Sequence, residues 1–174
     1  MNARPAFSIR HATAADVAAC AEVHLNGWDS AYRDTPLHHH LDQHPTMHRE
    51  AIWTKVLDRY DAGARLWIAA LEAAIVGLVA TGPARAPDRP AGAFELYALY
   101  QQRAVAGTGV AHNLVAHALA DLRQRACRSI YLSVLASNVN ARVFYERKGW
   151  ASVAEVTMDY HGTPLDHVCY ELQL

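Results

Sequence analysis

The segment AFELYALYQQRAVAGTGVAHNLV, residues 93–115, constrains the fold more than any other stretch of the chain. Its first part reads as a strand with apolar residues on both faces, which only a central position in a sheet can bury. Two glycines, Gly107 and Gly109, follow one residue apart, and a helical pattern begins at once. Val110, Leu114, Ala118 and Leu122 recur every four residues, with Val115 and Leu119 beside them, which predicts an amphipathic helix of about four turns packed on a sheet. A strand, a glycine turn and a helix in this order require an α/β architecture. The turn leaves unpaired N–H groups and the positive end of a helix dipole at the strand's end, a place suited to a phosphate. The same glycines also suit an ordinary strand-to-helix turn that needs unusual φ angles. Two nucleotide motifs are excluded: G-x-G-x-x-G would need glycine where His112 stands, and no lysine follows the glycines as G-x-x-x-x-G-K-[ST] requires.

The rest of the chain extends this pattern. FSIRHAT reads as a short strand, and Thr13 with Asp16 makes a capping box for a helix that runs to about Tyr32. A polar loop punctuated by Pro36 and Pro45 precedes a second helical stretch around Met47 to Tyr60. RLWIAALE and AIVGLVATG read as strands joined by a tight turn near Glu72 to Ala74, and PARAPDRPAG reads as a loop. SIYLSVL is the next buried strand, Asn138 to Lys148 a short helix, and two alternating runs around a turn at His161-Gly162 form an antiparallel hairpin. The expected order is strand, two helices, three strands, helix, strand, helix, two strands, in one domain spanning residues 1–174.

Composition removes several function classes. A formal net charge of -1 with interspersed signs offers no basic face for nucleic acid. No apolar run approaches membrane-spanning length and the N-terminus lacks the apolar core of a signal peptide, so no membrane partner and a cytoplasmic location are expected. Cys20, Cys127 and Cys169 match no metal pattern. The run His38 to His40, with His44 and His48, lacks matching cysteine or carboxylate spacing and reads as a solvated loop rather than a zinc site. No metal is expected.

ELYALYQQRAVAGTGVAHNLVAHAL resembles the acyl-CoA binding segment of the GNAT superfamily of N-acyltransferases, in which a strand ends in Q/R-x-x-G-x-G/A and enters a helix. Ala106, Gly107, Thr108, Gly109, Val110 and Ala111 take those positions, and LSVLASNVNARVFYERKGW is similar to the family's second signature through Asn138, Ala141, Phe144-Tyr145 and Gly149-Trp150. The departure is Ala106, where the family has Gln or Arg; Gln102 and Arg103 lie close in sequence. The resemblance implies a mixed, mostly antiparallel seven-stranded sheet with about four flanking helices and splayed central strands. It implies acetyl-CoA as co-substrate, with pyrophosphate on Gly107 to Ala111 and the pantetheine arm along Leu99, Tyr100 and Gln101. The Gln101 N–H is expected to polarise the carbonyl, and its side chain to line the acceptor site. Asn138 is expected to contact pantetheine, cap its helix, or do both.

Acetyl transfer to an amine needs a proton taken from the amine and one given to the leaving thiolate. The resemblance implies Glu95 as base and Tyr145 as acid; a solvated or Arg-bound Glu95 and a core Tyr145 are the alternatives. Neither Cys127 nor Cys169 stands beside a histidine in the sequence, so direct attack in a ternary complex is expected over a thioester intermediate. The family builds its acceptor site from the first helices, their loop and the last hairpin. Trp28, Asp29, Tyr32, the loop RDTPLHHHLDQHP, Tyr97 and Asp159 to His161 take those places, although Trp28 and Tyr32 suit a core equally. The expected partner is a small-molecule or peptide amine, and the C-terminal hairpin makes a homodimer plausible. The alternative to an enzyme is a non-catalytic CoA-binding sensor.

Overall fold

The structure, a computed structural model, describes residues 7–32, 46–86, 89–160 and 162–174. The loop RDTPLHHHLDQHP and His161 lie outside them. Seven strands make one sheet: β1 (Ser8–His11), β2 (Arg65–Leu71), β3 (Ala74–Pro83), β4 (Phe94–Gln101), β5 (Ser129–Leu135), β6 (Ala151–Tyr160) and β7 (Thr163–Gln173). Their order across the sheet is β1-β2-β3-β4-β5-β7-β6, and every pairing is antiparallel except β4 with β5. The helices are α1 (Val17–Tyr32), α2 (Thr46–Leu57), α3 (Val110–Gln124) and α4 (Val139–Glu146). The expected element order and the mixed sheet are therefore present.

The first helix starts as its sequence requires. The Thr13 N–H and Oγ1 donate to Asp16 Oδ2 at 2.8 and 2.9 Å, and Arg10 reaches the same carboxylate with two bonds of 2.8 and 2.7 Å. The Arg10 guanidinium, with Thr13, holds that carboxyl well below the usual carboxylate range. The second helix stops at Leu57 rather than Tyr60. Tyr60 instead bends its hydroxyl back to donate to the Leu66 carbonyl at 3.0 Å, tying the turn to β2.

The two faces of the sheet carry separate cores. Cys20, Ala21, Val23 and Trp53 from α1 and α2 pack on Leu66, Ile68, Leu78 and Ala80. On the opposite face, Val110, Leu114, Val115, Ala118, Leu119 and Leu122 of α3 pack with Val76, Val79, Ile130, Leu132, Val168 and Tyr170. Each fully buried Val, Leu or Ile side chain among these stabilises the fold by about 1.5–3 kcal/mol. Gly77 lets α3 sit close, since a Cβ there would stand 2.8 Å from Val110 Cγ1 and 3.3 Å from the Tyr100 carbonyl. Helix α4 is fixed through Tyr170, whose hydroxyl donates to Glu146 Oε1 at 2.7 Å and accepts from Arg142 Nε at 3.2 Å.

β6 departs from its sequence pattern. The alternation of Ala154, Val156 and Met158 predicts one buried face, yet β6 is the sheet's outer strand and Val156 is 37% exposed. β7 takes the buried place between β5 and β6, because its residues are apolar on both faces.

β4 carries a bulge. Ala80 pairs with Ala98 and Thr81 with Leu96, so Tyr97 has no partner on β3. The bulge turns Tyr97 and Ala98 to the same side, and Glu95 stays on the α1 face although Leu99 and Gln101 lie on the α3 face. The Tyr97 hydroxyl anchors this kink by donating to the Pro83 carbonyl at 2.6 Å. Its ring fills the space over Gly82, where a Cβ would come within 2.6 Å of Tyr97 Cε2. Gly82→Ala is expected to cost about 1–3 kcal/mol by displacing that ring. Chemical denaturation checks this, with Gly82→Ala/Tyr97→Ala expected to recover part of the loss.

Candidate active site

The sheet opens at its centre. β4 and β5 pair at Phe94↔Ile130 and Glu95↔Tyr131, and beyond Glu95 the two strands diverge. A cleft of about 420 Å³ lies in the gap, and a second lobe of about 410 Å³ adjoins it through Arg85, Glu95, Ser133 and Met158. The Gln102 N–H donates to the Val76 carbonyl at 2.8 Å. In an antiparallel ladder the neighbouring pair is non-bonded, so the N–H and C=O of Gln101, and likewise of Leu99, face the open side of β4. An extended chain laid in the gap would find these groups ready to pair.

The glycine turn stands at one end of the cleft. Gly107 and Gly109 have φ of +77° and +99°, conformations that side chains disfavour, and Gly109 is the N-cap of α3. Among the described residues, the backbone N–H groups of Gly107, Gly109, Val110 and His112 have no partner. The Thr108 N–H is spent on the Val105 carbonyl at 3.2 Å, and the Ala111 N–H on Gln101 Oε1 at 3.2 Å. Four donors at a helix N-terminus suit an anion. Lys148 Nζ meets His112 Nδ1 beside them and adds positive charge.

The Gln101 side chain thus turns toward α3 rather than the acceptor side, because the strand's alternation puts it there. Gln102 cannot stand in for the polar residue that Ala106 replaces, since its Nε2 donates to the Ile75 carbonyl at 3.0 Å. Arg103 is exposed and lines the cleft beside Ala106.

Tyr145 enters the cleft from α4. Gly149 ends that helix with φ of +84°, and the Trp150 N–H returns to the Tyr145 carbonyl at 3.2 Å. The turn lays the Trp150 ring edge-on to Tyr145, with centroids 5.6 Å apart. The Gly-aromatic pair of the sequence is therefore the support of the tyrosine. Burial pushes the Tyr145 phenol up, so it stays protonated, and its hydroxyl has no hydrogen-bond partner among the described residues. Asn138 caps the same helix, with Oδ1 accepting from the Ala141 N–H at 3.1 Å, and also lines the cleft.

Glu95 lies in the cleft wall, bound to an arginine. Its carboxylate accepts from the Arg85 backbone N–H at 3.0 Å, from Arg85 Nε at 3.1 Å and from Arg85 Nη2. The same guanidinium lies 4.5 Å from the Tyr97 ring centroid. Tyr97, held by Pro83, braces the wall. Trp28 and Tyr32 stack with centroids 4.0 Å apart, line the cleft and pack on Leu135 and Leu165. Tyr100 stacks on buried His24 at 4.5 Å and fits against Gly27. Burial pushes the His24 imidazole down to about 3, so that ring is a neutral core member. Asp159 closes the β6–β7 turn by accepting from the Gly162 N–H at 3.0 Å, and it does not line the cleft. Cys20 and Cys169 are buried, and Cys127 Sγ donates to the Ser129 carbonyl at 3.1 Å.

Three residues of the site escape the sequence: Arg85, Ser133 and His167. Arg85 lies in a proline-rich loop with no periodicity to orient it. The one signal for His167 is the run Val168-Tyr170-Leu172, which implies an opposite face holding Leu165, His167 and Cys169 but does not say that this face meets the cleft.

No helix among the described residues is long and apolar enough to cross a membrane. No curated protein matches the chain in sequence. Its fold is shared by solved structures of low identity. The ribosomal-protein-alanine N-acetyltransferase of Brucella melitensis is 22% identical, with a TM-score of 0.75 over 96% of this chain and 99% of that one. PaiA N-acetyltransferase of Thermoplasma acidophilum, solved with coenzyme A, is 15% identical, with a TM-score of 0.77 over 97% and 99% of the two chains. YncA of Salmonella typhimurium, a putative acetyltransferase solved with acetyl-CoA, is 20% identical, with a TM-score of 0.74 over 97% and 94%. The model of the acetyltransferase (GNAT) family matches residues 25–150, a span that holds the open strand pair, the glycine turn and the Tyr145 helix. The chain belongs to the GNAT acetyltransferase family.

Proposed function

We propose that this protein moves an acetyl group from acetyl-CoA to a primary amine by direct attack in a ternary complex. The observation that carries this reading is the continuity of three features. Free N–H groups at Gly107, Gly109, Val110 and His112 lead to the unpaired β4 edge at Leu99 and Gln101, and that edge leads to the Tyr145 hydroxyl. The N–H groups hold the pyrophosphate, with Thr108 and Ala111 serving as scaffold because their N–H groups are already used. The pantetheine arm pairs with the edge as an added strand, alongside Tyr100 and Asn138. The Gln101 N–H polarises the carbonyl, which develops negative charge as the amine attacks.

Tyr145 then supplies the proton to the leaving thiolate. Burial keeps the phenol protonated at neutral pH, so it holds the proton that the departing sulfur takes up. Glu95, on the opposite face of the gap, is committed to Arg85 by three hydrogen bonds. That arrangement favours a positioning role for its carboxylate, which steadies the arriving ammonium, over the role of proton acceptor. Trp28 and Tyr32 offer aromatic faces to the same cation, and Tyr97 holds the wall behind it.

The decisive measurement is free-thiol release from acetyl-CoA with a panel of polyamines, amino acids, aminoglycosides and peptides. Thiol release with some amine is expected; no release with any sinks the proposal. Tyr145→Phe should lower kcat tenfold or more with little change in acetyl-CoA affinity, as expected for an acid used at the chemical step. Gly107→Ala should weaken acetyl-CoA binding tenfold or more in calorimetry. The free chain has space for the new methyl, but φ of +77° resists it and the methyl would enter the cradle. Glu95→Gln should raise the amine KM more than it lowers kcat; a large loss of kcat alone would restore Glu95 as the base.

A further inference from the structure

We propose that His167, acting through Nε2, is the base that takes the proton from the attacking amine. This inference rests on the acetyl-transfer reading and assigns a step that reading leaves open. His167 lies on β7 opposite Leu135 of β5, four residues beyond Tyr131, the last β5 residue paired with β4. It is 5% exposed and lines the cleft. Alternation along β7 puts it on the same face as Leu165, which packs with Trp28 and Tyr32. Val168 and Tyr170 take the other face, in the core that holds Tyr145. The imidazole and the phenol therefore approach the gap from opposite sides of the sheet. Amine attack needs a proton acceptor and thiolate departure a proton donor at the same carbonyl carbon, and the two side chains supply one each.

The tautomer follows from one contact. His167 Nδ1 lies 3.0 Å from the Leu165 carbonyl oxygen, which only accepts, so Nδ1 carries the hydrogen. In the neutral ring Nε2 is then left with its lone pair. The other ionisable groups lining the cleft are already occupied or unsuited. From β4 come Glu95, bound to Arg85, and Tyr97, bound to Pro83; Tyr100 stacks on His24. Helix α4 offers Tyr145, α1 offers Tyr32, and Arg103 stands at the end near the cradle. β5 faces His167 with Leu135, and β6 lines the cleft with Met158, neither of which titrates.

The step balances as follows. The arriving ammonium first loses one proton to water, and the neutral amine nitrogen then bonds to the thioester carbonyl carbon and passes one N–H proton to His167 Nε2. The C–S bond breaks with its electron pair on sulfur, and the thiolate takes the Tyr145 phenolic proton. Amide and CoA thiol leave, and the imidazolium returns one proton to the phenolate through solvent.

The test uses the whole chain with acetyl-CoA and an amine that supports thiol release. His167→Asn keeps an N–H for the Leu165 carbonyl but has no basic nitrogen. It should lose about 10²-fold or more in kcat, abolish the acidic limb of the kcat–pH profile, and keep wild-type acetyl-CoA affinity. Wild-type kcat, or a surviving acidic limb, overturns the assignment. Imidazole nitrogen NMR of the wild-type chain gives a reading independent of turnover and of how the variant folds. Protonated Nδ1 with bare Nε2 at neutral pH is expected, and the Nε2–H tautomer overturns the proposal. Absence of thiol release with every amine would instead remove the acetyl-transfer reading, so the two failures are distinguishable.

Discussion

Two residue pairs, Phe94 with Ile130 and Glu95 with Tyr131, join the two halves of the sheet, and the candidate site exists because the pairing stops there. A central strand left open on one side carries N–H and C=O groups that folding does not satisfy. In most sheets this would invite closure or a wrong partner. Here the cores on either side keep the halves apart. α3 is seated on β2 to β4, and α4 is tied to β7 through Arg142, Tyr170 and Glu146. Helix α1 spans the opposite face from Val23 above β2 and β3 to the Trp28–Tyr32 stack on Leu135 and Leu165. The open edge of β4 is thus held in place by packing on both faces, and a ligand can take up its unused bonds.

The bulge at Tyr97 divides the labour between the two faces. Without the extra residue, alternation would put Glu95 and Gln101 on the same side of the sheet. With it, Gln101 turns to α3 and supports the glycine turn, while Glu95 and its Arg85 partner face the Trp28 side. Tyr97 maintains the kink by its hydrogen bond to Pro83, at the cost of requiring glycine at position 82. A position that reads as a substrate-binding tyrosine is occupied in holding the strand's geometry.

Much of this was legible locally. The Thr13–Asp16 cap, the glycines at positive φ, the α3 face and the Asn138 cap each depend on residues within one turn of each other, so sequence spacing specifies them. Glu95 and His167 were not readable in the same way. The meaning of Glu95 depends on Arg85, ten residues away across a proline-rich loop, and that of His167 on which face of β7 meets the gap. β6 shows the converse: an alternating pattern without a buried face, because nothing in the strand itself says whether another layer covers it.

By itself, then, the sequence determined the elements, their order, the turn that presents free N–H groups, and the family to which these motifs belong, since each rests on short-range periodicity and backbone preference. Only the tertiary structure decided where β4 and β5 part, which side chain holds Glu95, and that a buried histidine shares the cleft with Tyr145. Those are contacts between residues distant in the chain, and their geometry follows from how the two cores and one bulge position the strands rather than from any local pattern.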